Sequence, residues 1–129
     1  MKKYGLLSAI IAAAVFIAPL EVSAGEIPSE RQLALVVDEA DLLTDDEESS
    51  LESRLESISE ERECEVALVT CNDTDGKDIQ SYADDFYDYN GYGYGNDDSG
   101  IMLVINMGDR EWAFTTYGYG IDAFTDERQ

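Results

Sequence analysis

Three short apolar runs, separated by two stretches of helical period, constrain this chain more than any other feature. The runs are Leu33-Ala34-Leu35-Val36-Val37, Glu65-Val66-Ala67-Leu68-Val69-Thr70 and Ile101-Met102-Leu103-Val104-Ile105. The first reads as a strand covered on both faces, and the third, the most apolar, as a central strand. Between the first two, Leu51, Leu55 and Ile58 recur at helical spacing. Thr44-Asp45-Asp46-Glu47 forms a capping box ahead of them, so a helix is expected from about Asp45 to Glu61. Ile79, Tyr82, Ala83 and Phe86 repeat the pattern and predict a helix over about Lys77 to Tyr89. Gly108-Asp109 is a two-residue hairpin signal leading to an antiparallel strand, Glu111 to Thr116, near an edge. The order β-α-β-α-β-β predicts an α/β fold: a mostly parallel, Rossmann-like sheet with helices on its faces, joined right-handed.

Charge limits the chemistry. The 129 residues carry 29 Asp+Glu against 8 Lys+Arg and no histidine, a formal charge of −21. Without histidine there is no Ser-His-Asp or Cys-His pair, no imidazole base and no His-ligated zinc. So acidic a surface repels phosphate backbones and anionic membranes, so no nucleic-acid partner is expected. Cations, basic proteins, or anions bridged by a metal suit it. Solubility or a salt-rich habitat would equally favour such a charge.

The chain start reads as a targeting segment. Lys2 and Lys3 precede an apolar run from Leu6 to Leu20, and Val22-Ser23-Ala24 offers small residues for cleavage. Residues 1–24 are expected to be a secretory signal peptide, 25–32 a polar leader, and 33–129 the folded domain. Cleavage would remove Lys2, Lys3 and Glu21, leaving the mature chain one charge more negative. Export with two cysteines suggests a disulfide. Yet Cys64 and Cys71 flank one strand, and seven steps of roughly 3.3 Å separate them by about 23 Å, beyond the about 7 Å a disulfide spans. Free thiols or an intermolecular bridge are expected instead.

In this order the residues resemble the TPM domain family, which includes thylakoid-lumen proteins of photosystem repair, exported bacterial proteins and a receptor modulator. The resemblance runs through Val36-Val37-Asp38-Glu39-Ala40-Asp41-Leu42-Leu43-Thr44, Glu65 to Thr70 and Ile79-Gln80-Ser81-Tyr82-Ala83. It continues through Asp98-Ser99-Gly100-Ile101-Met102-Leu103-Val104 and Gly108-Asp109-Arg110 into Tyr117-Gly118-Tyr119-Gly120. It covers about Leu33 to Asp126. Domains of this family usually continue with further helices, often with a membrane span and a low-complexity tail. The resemblance therefore implies a C-terminally truncated domain whose full-length form is membrane-anchored.

Three carboxylate pairs are candidate metal ligands. Asp38 and Asp41 follow the first strand, and Asp73 and Asp75 follow the second. In a parallel α/β sheet the carboxyl ends of the strands line the ligand crevice, and carboxylates with carbonyls are the ligand set of a hard cation. The same acids would equally cap helices and solvate turns. Asp97 and Asp98 enter the third strand at its other end, but the loop Asn90 to Gly100 is long enough to fold over the sheet toward Asp38. Asp73-Thr74-Asp75-Gly76 fails as an EF-hand, because Cys71 and Tyr82 stand where acids are needed. It also sits too far past the strand for an aspartyl-phosphate site, although Lys77 is near. Gly91, Gly93 and Gly95 follow a helix and precede a strand, the reverse of a dinucleotide fingerprint. Their interleaved tyrosines, Tyr87, Tyr89, Tyr92 and Tyr94, read either as a recognition loop for peptide or sugar or as a loop pinned by packing.

Two functions follow. One is an exported accessory or interaction module of the cell envelope that binds a divalent cation, calcium in preference to magnesium, and meets an envelope or membrane-protein partner. The alternative implied by the resemblance is a metal-dependent, acid-phosphatase-like hydrolase of phosphomonoesters, in which the cation binds phosphate and acidifies a bound water.

Overall fold

The computed structural model describes residues 27–125, so the expected signal peptide lies outside the described residues. The elements are β1 (Val36–Asp38), α1 (Asp45–Arg62), β2 (Glu65–Cys71), α2 (Ile79–Tyr89), β3 (Gly100–Asn106), β4 (Glu111–Tyr117) and α3 (Tyr119–Ala123). They form one sheet of order β1-β2-β3-β4. β1, β2 and β3 run parallel, and β4 returns antiparallel beside β3. β3 is central and β4 is an edge, as the apolar runs predict.

β1 is shorter and later than expected. The Glu52 carboxylate of α1 accepts from the backbone N–H groups of Leu35 (3.0 Å) and Val36 (2.7 Å), which occupies the strand's outer side. Leu33 and Ala34 stay exposed. β1 is thus an edge strand held by a helix side chain.

Thr44 caps α1, its hydroxyl accepting from Glu47 N–H at 3.2 Å. Four acids in the first turn sit at the positive end of the helix dipole. The buried stripe departs from the expected one at its end. Leu55 is buried, but Ile58 is exposed and Ser59 takes the inward position. The spacing Leu51, Leu55, Ser59 keeps one face, and the Ser59 hydroxyl accepts from Val66 N–H at 3.0 Å, tying helix to strand. α2 starts at Ile79 rather than Lys77, because the Asp78 side chain caps the N–H groups of Gln80 and Ser81.

Both long helices cover the same face of the sheet. Ala67, Val69 and Cys71 of β2, Met102 and Val104 of β3 and Ala113 of β4 share one core with Leu55 of α1 and Ala83 and Tyr87 of α2. That follows from two right-handed crossovers stepping in the same direction. The other face carries Leu68, Leu103 and Phe114 in one row and Thr70, Ile105 and Trp112 in the next. Among the described residues, the five-residue α3 and Phe124 lie against it, and the β1–α1 loop covers Thr70 at its other end. A Cβ on Gly120 would touch the Ile101 side chain, and the Phe114 and Phe124 rings meet at 4.6 Å.

Candidate functional site

The carboxyl ends of the three parallel strands form one rim, and four local contacts fix its shape. Asp38 ends β1 beside Thr70 of β2. Asp38 Oδ1 accepts from the Thr70 hydroxyl (2.5 Å) and Leu42 N–H (3.1 Å), while Oδ2 accepts from Leu43 N–H (2.8 Å). Thr70 Oγ1 in turn accepts from Ala40 N–H (3.1 Å). Burial opposes the charged form of Asp38, but the bonds from Thr70, Leu43 and Leu42 outweigh it and hold the carboxyl below the usual carboxylate range. Asp38 therefore shapes the β1–α1 loop. Asp41, in that loop, is exposed with a left-handed backbone (φ 53°) that aspartate tolerates.

The next loop leaves β2 at the same end. Asp73 Oδ1 accepts from Asp75 N–H at 2.9 Å, the Asx turn that reverses the chain. Both acids are exposed. Thr74 is buried beneath them, its hydroxyl donating to the Lys77 carbonyl at 2.6 Å. Lys77 pairs with Asp85 at 2.5 Å. Burial first, then the negative surroundings of Cys71, Glu39 and Asp75, push the Tyr82 hydroxyl up to about 12. Glu39 belongs to the β1 loop and Asp75 to the β2 loop.

The β3–β4 turn completes the rim. Asn106, fully buried, accepts from Gly108 N–H (3.0 Å) and donates to Asp109 Oδ2 (3.0 Å). Met107 N–H donates to the Cys71 carbonyl at 2.8 Å. A Cβ on Gly108 would overlap the Asn72 carbonyl oxygen, so glycine lets turn and loop touch. Sequence reasoning missed Thr70, Asn106 and Asp109. For Asn106, a polar residue closing an apolar strand immediately before a turn is the signal that would have found it.

Asp97 and Asp98 are not part of this rim. Gly100 pairs with Glu65 and Ile105 with Thr70, so five strand steps, roughly 17 Å, separate the ends. The loop does not fold over to Asp38. Backbone bonds between Tyr94 and Ser99 close it locally, and Tyr87 Oη donates to the Asp98 carbonyl at 2.7 Å. Tyr87 and Tyr92 are buried, the latter bonding the Ala34 carbonyl at 2.6 Å, so packing pins that half of the tyrosine loop. Tyr94 remains exposed beside a shallow cavity of about 520 Å³ with Arg62, Glu63, Asp97 and Tyr119. Among the described residues, no three acidic or thiol side chains converge to ligand distance. Both cysteines are free and buried, consistent with the strand between them.

Arg31 was not singled out from sequence, yet it organises the opposite end. It pairs with Glu56 at 2.5 Å, and Glu65 lies 3.6 Å away. Burial raises the Glu65 carboxyl above its usual range, against the lowering effect of Gly93 N–H and Arg31.

Among the described residues, a mixed four-stranded sheet with two crossover helices on one face, α3 on the other and acidic loops at its carboxyl rim makes an α/β domain. The TPM domain family model matches residues 36–129, and the chain belongs to that family. It is 37% identical over 76 residues to the UPF0603 protein YdjH of Bacillus subtilis (strain 168), a match covering 59% of this chain and 28% of that protein. Its fold is similar to the N-terminal domain of a protein from P. gingivalis, with a TM-score of 0.63 and 27% identity over 79% of this chain and 67% of that one. The N-terminal domain of cg2496 protein from Corynebacterium glutamicum shares the fold at a TM-score of 0.59 and 16% identity, over 78% and 64% of the two chains.

Proposed function

We propose that this TPM domain is an exported accessory module of the cell envelope that binds a divalent cation, calcium ahead of magnesium, at the rim formed by the β1–α1 and β2–α2 loops. One observation carries the reading: the loops bearing Asp38 and Asp41 and those bearing Asp73 and Asp75 leave neighbouring parallel strands at the same end. Asp41, Asp73 and Asp75 are exposed and face water, whereas Asp38 spends its oxygens on the loop. Among the described residues no three side chains converge, so the reading has an ion there held by one or two of these carboxylates and completed by carbonyls and water. Asp97 and Asp98, at the other end, contribute nothing to it.

Export rests on the sequence of residues 1–24. Among the described residues no helix is long and apolar enough to cross a membrane. The test against the hydrolase is turnover of a chromogenic phosphomonoester with and without calcium or magnesium. The module reading expects no turnover in any condition. Cation-dependent turnover abolished by Asp73→Asn would overturn it in favour of the phosphatase.

A further inference from the structure

We propose that the cavity at the amino ends of β2 and β3 is a binding site for a neutral sugar, taking a pyranose ring of an uncharged oligosaccharide. It lies at the end of the sheet opposite the cation rim and needs no ion there.

Three separate segments meet at the cavity. Arg62 and Glu63 end α1, Tyr94 and Asp97 stand on the loop before β3, and Tyr119 opens α3. With Ser99 they line a space of about 520 Å³, within the size range of small-molecule sites.

The walls are preformed. Backbone bonds in both directions between Tyr94 and Ser99 (2.9 and 3.0 Å) fix the loop. Ser99 is 2% exposed, and its hydroxyl accepts from Tyr119 N–H at 2.9 Å, tying α3 to the loop. A Cβ on Gly93 would overlap the Asp98 backbone, and one on Gly118 the Asp97 carbonyl, so loop and β4–α3 turn are closed against each other. Glu63 holds a left-handed backbone (φ 50°) at the end of α1, where glycine is usual and a longer side chain is strained. Strain of that kind collects at ligand sites, and the Glu63 side of the cavity is where it sits. From the cavity α3 leads away along the sheet, with Gly120 against Gly100 and Phe124 against Phe114.

The lining selects the ligand. Tyr94 and Tyr119 are exposed, and among the described residues neither ring meets another ring. Tyrosine offers a flat apolar face with a polar tip, and the C–H face of a pyranose ring stacks on such a surface. Arg62 donates only, and Glu63 and Asp97, ionised, accept only. Ser99, whose oxygen already accepts from Tyr119, has its hydrogen to donate. Sugar hydroxyls both donate and accept, so they match a lining of mixed sign. The chain's charge of −21 disfavours acidic sugars. A peptide added as a strand needs an open strand edge. None meets the cavity: β3 is paired along its length on both sides, and Val66 N–H, on the outer side of β2, is taken by Ser59.

The test is amide shift mapping of the isotope-labelled protein with three neutral probes: the linear trisaccharides of glucose, of mannose and of N-acetylglucosamine. At least one should move the amides of Gly95, Ser99 and Tyr119 saturably and leave those of Asp41 and Asp75 in place. Tyr94→Ala and Tyr119→Ala, both at exposed positions, should each weaken that binding by about tenfold or more. Tyr94→Phe and Tyr119→Phe keep the rings and should retain most of it. If no trisaccharide moves those amides at millimolar concentration, the proposal is overturned. Shifts that survive loss of both rings overturn it too. A blocked alanine–serine peptide that moves the same amides when the sugars do not assigns the cavity to peptide, which also overturns it. Melting in calcium reads the rim separately, so failure of one reading is distinguishable from failure of the other.

Discussion

Thr70 and Asp38 are joined across the β1–β2 pair by a hydroxyl-to-carboxylate bond of 2.5 Å, and the loop carrying Asp41 is folded around that bond. Thr70 is 1% exposed, so its hydroxyl has no water to replace the carboxylate. Asp38→Asn presents an amide to two backbone donors that need an acceptor, and should cost about 1–3 kcal/mol. Thr70→Val should cost about 1 kcal/mol by the same reasoning. Denaturant unfolding of the two variants and of the double mutant checks both values, and the double should fall short of additivity.

The same pair sets a pH dependence. Asp38 titrates lower in the folded domain than in the unfolded chain. Its stabilisation is therefore complete above the unfolded value, about 3.9, and is lost as pH falls through the folded value. Urea midpoints measured between about pH 2 and 6 should decline toward acid in wild type. Asp38→Asn should lack that part of the decline. An identical acid limb in the variant would show that Asp38 is not held as described.

The thiols give a second check on β2. Cys64 and Cys71 are buried, and burial raises both thiols above their usual range. The unreduced monomer should yield two titratable thiols once denatured and almost none, on the same timescale, while native. A denatured monomer without thiols would mean that the strand separating the cysteines is misplaced.

What was legible from sequence follows physical rules. Thr44 and the acids after it announced α1, the run Ile101 to Ile105 announced β3, and Gly108-Asp109 announced the turn. Ser59 was hidden because a small polar residue can take an inward position when its hydroxyl meets a backbone N–H. The coverage of the sheet was hidden for another reason. Every residue from Ile101 to Ile105 is apolar, so no alternation distinguishes the helix-covered face from the open one. Asp97 and Asp98 were placed near Asp38 only by loop length, which cannot foresee that Tyr94 and Ser99 close the loop on itself. α3, at five residues, is too short to show a period.

Glycine positions predict a contrast. A Cβ on Gly100 would collide with the Tyr87 hydroxyl, whereas one on Gly76 meets open space and only the cost of its positive φ. Gly76→Ala should cost about 1 kcal/mol. Gly100→Ala should cost more, about 1–3 kcal/mol from overpacking, and Tyr87→Phe should recover part of it. Thermal melts of the single and double variants measure this.

Export makes a prediction outside the described residues. If residues 1–24 are a signal peptide, secreted protein begins at Gly25. N-terminal sequencing that finds Met1 on mature material would contradict it.

The most direct test of a cation site at the carboxyl rim is thermal melting in calcium, in magnesium and in sodium chloride of matched ionic strength. A cation that binds only the folded domain stabilises it by about 2.7 kcal/mol at a hundredfold excess over Kd, roughly 10 °C or more for a domain of this size. Wild type should melt highest in calcium, above the sodium chloride control. Asp73→Asn with Asp75→Asn should remove that difference, while Asp97→Asn with Asp98→Asn, at the opposite end of the sheet, should retain it. If all three salts act alike on wild type, or the two double mutants respond equally, the rim holds no ion.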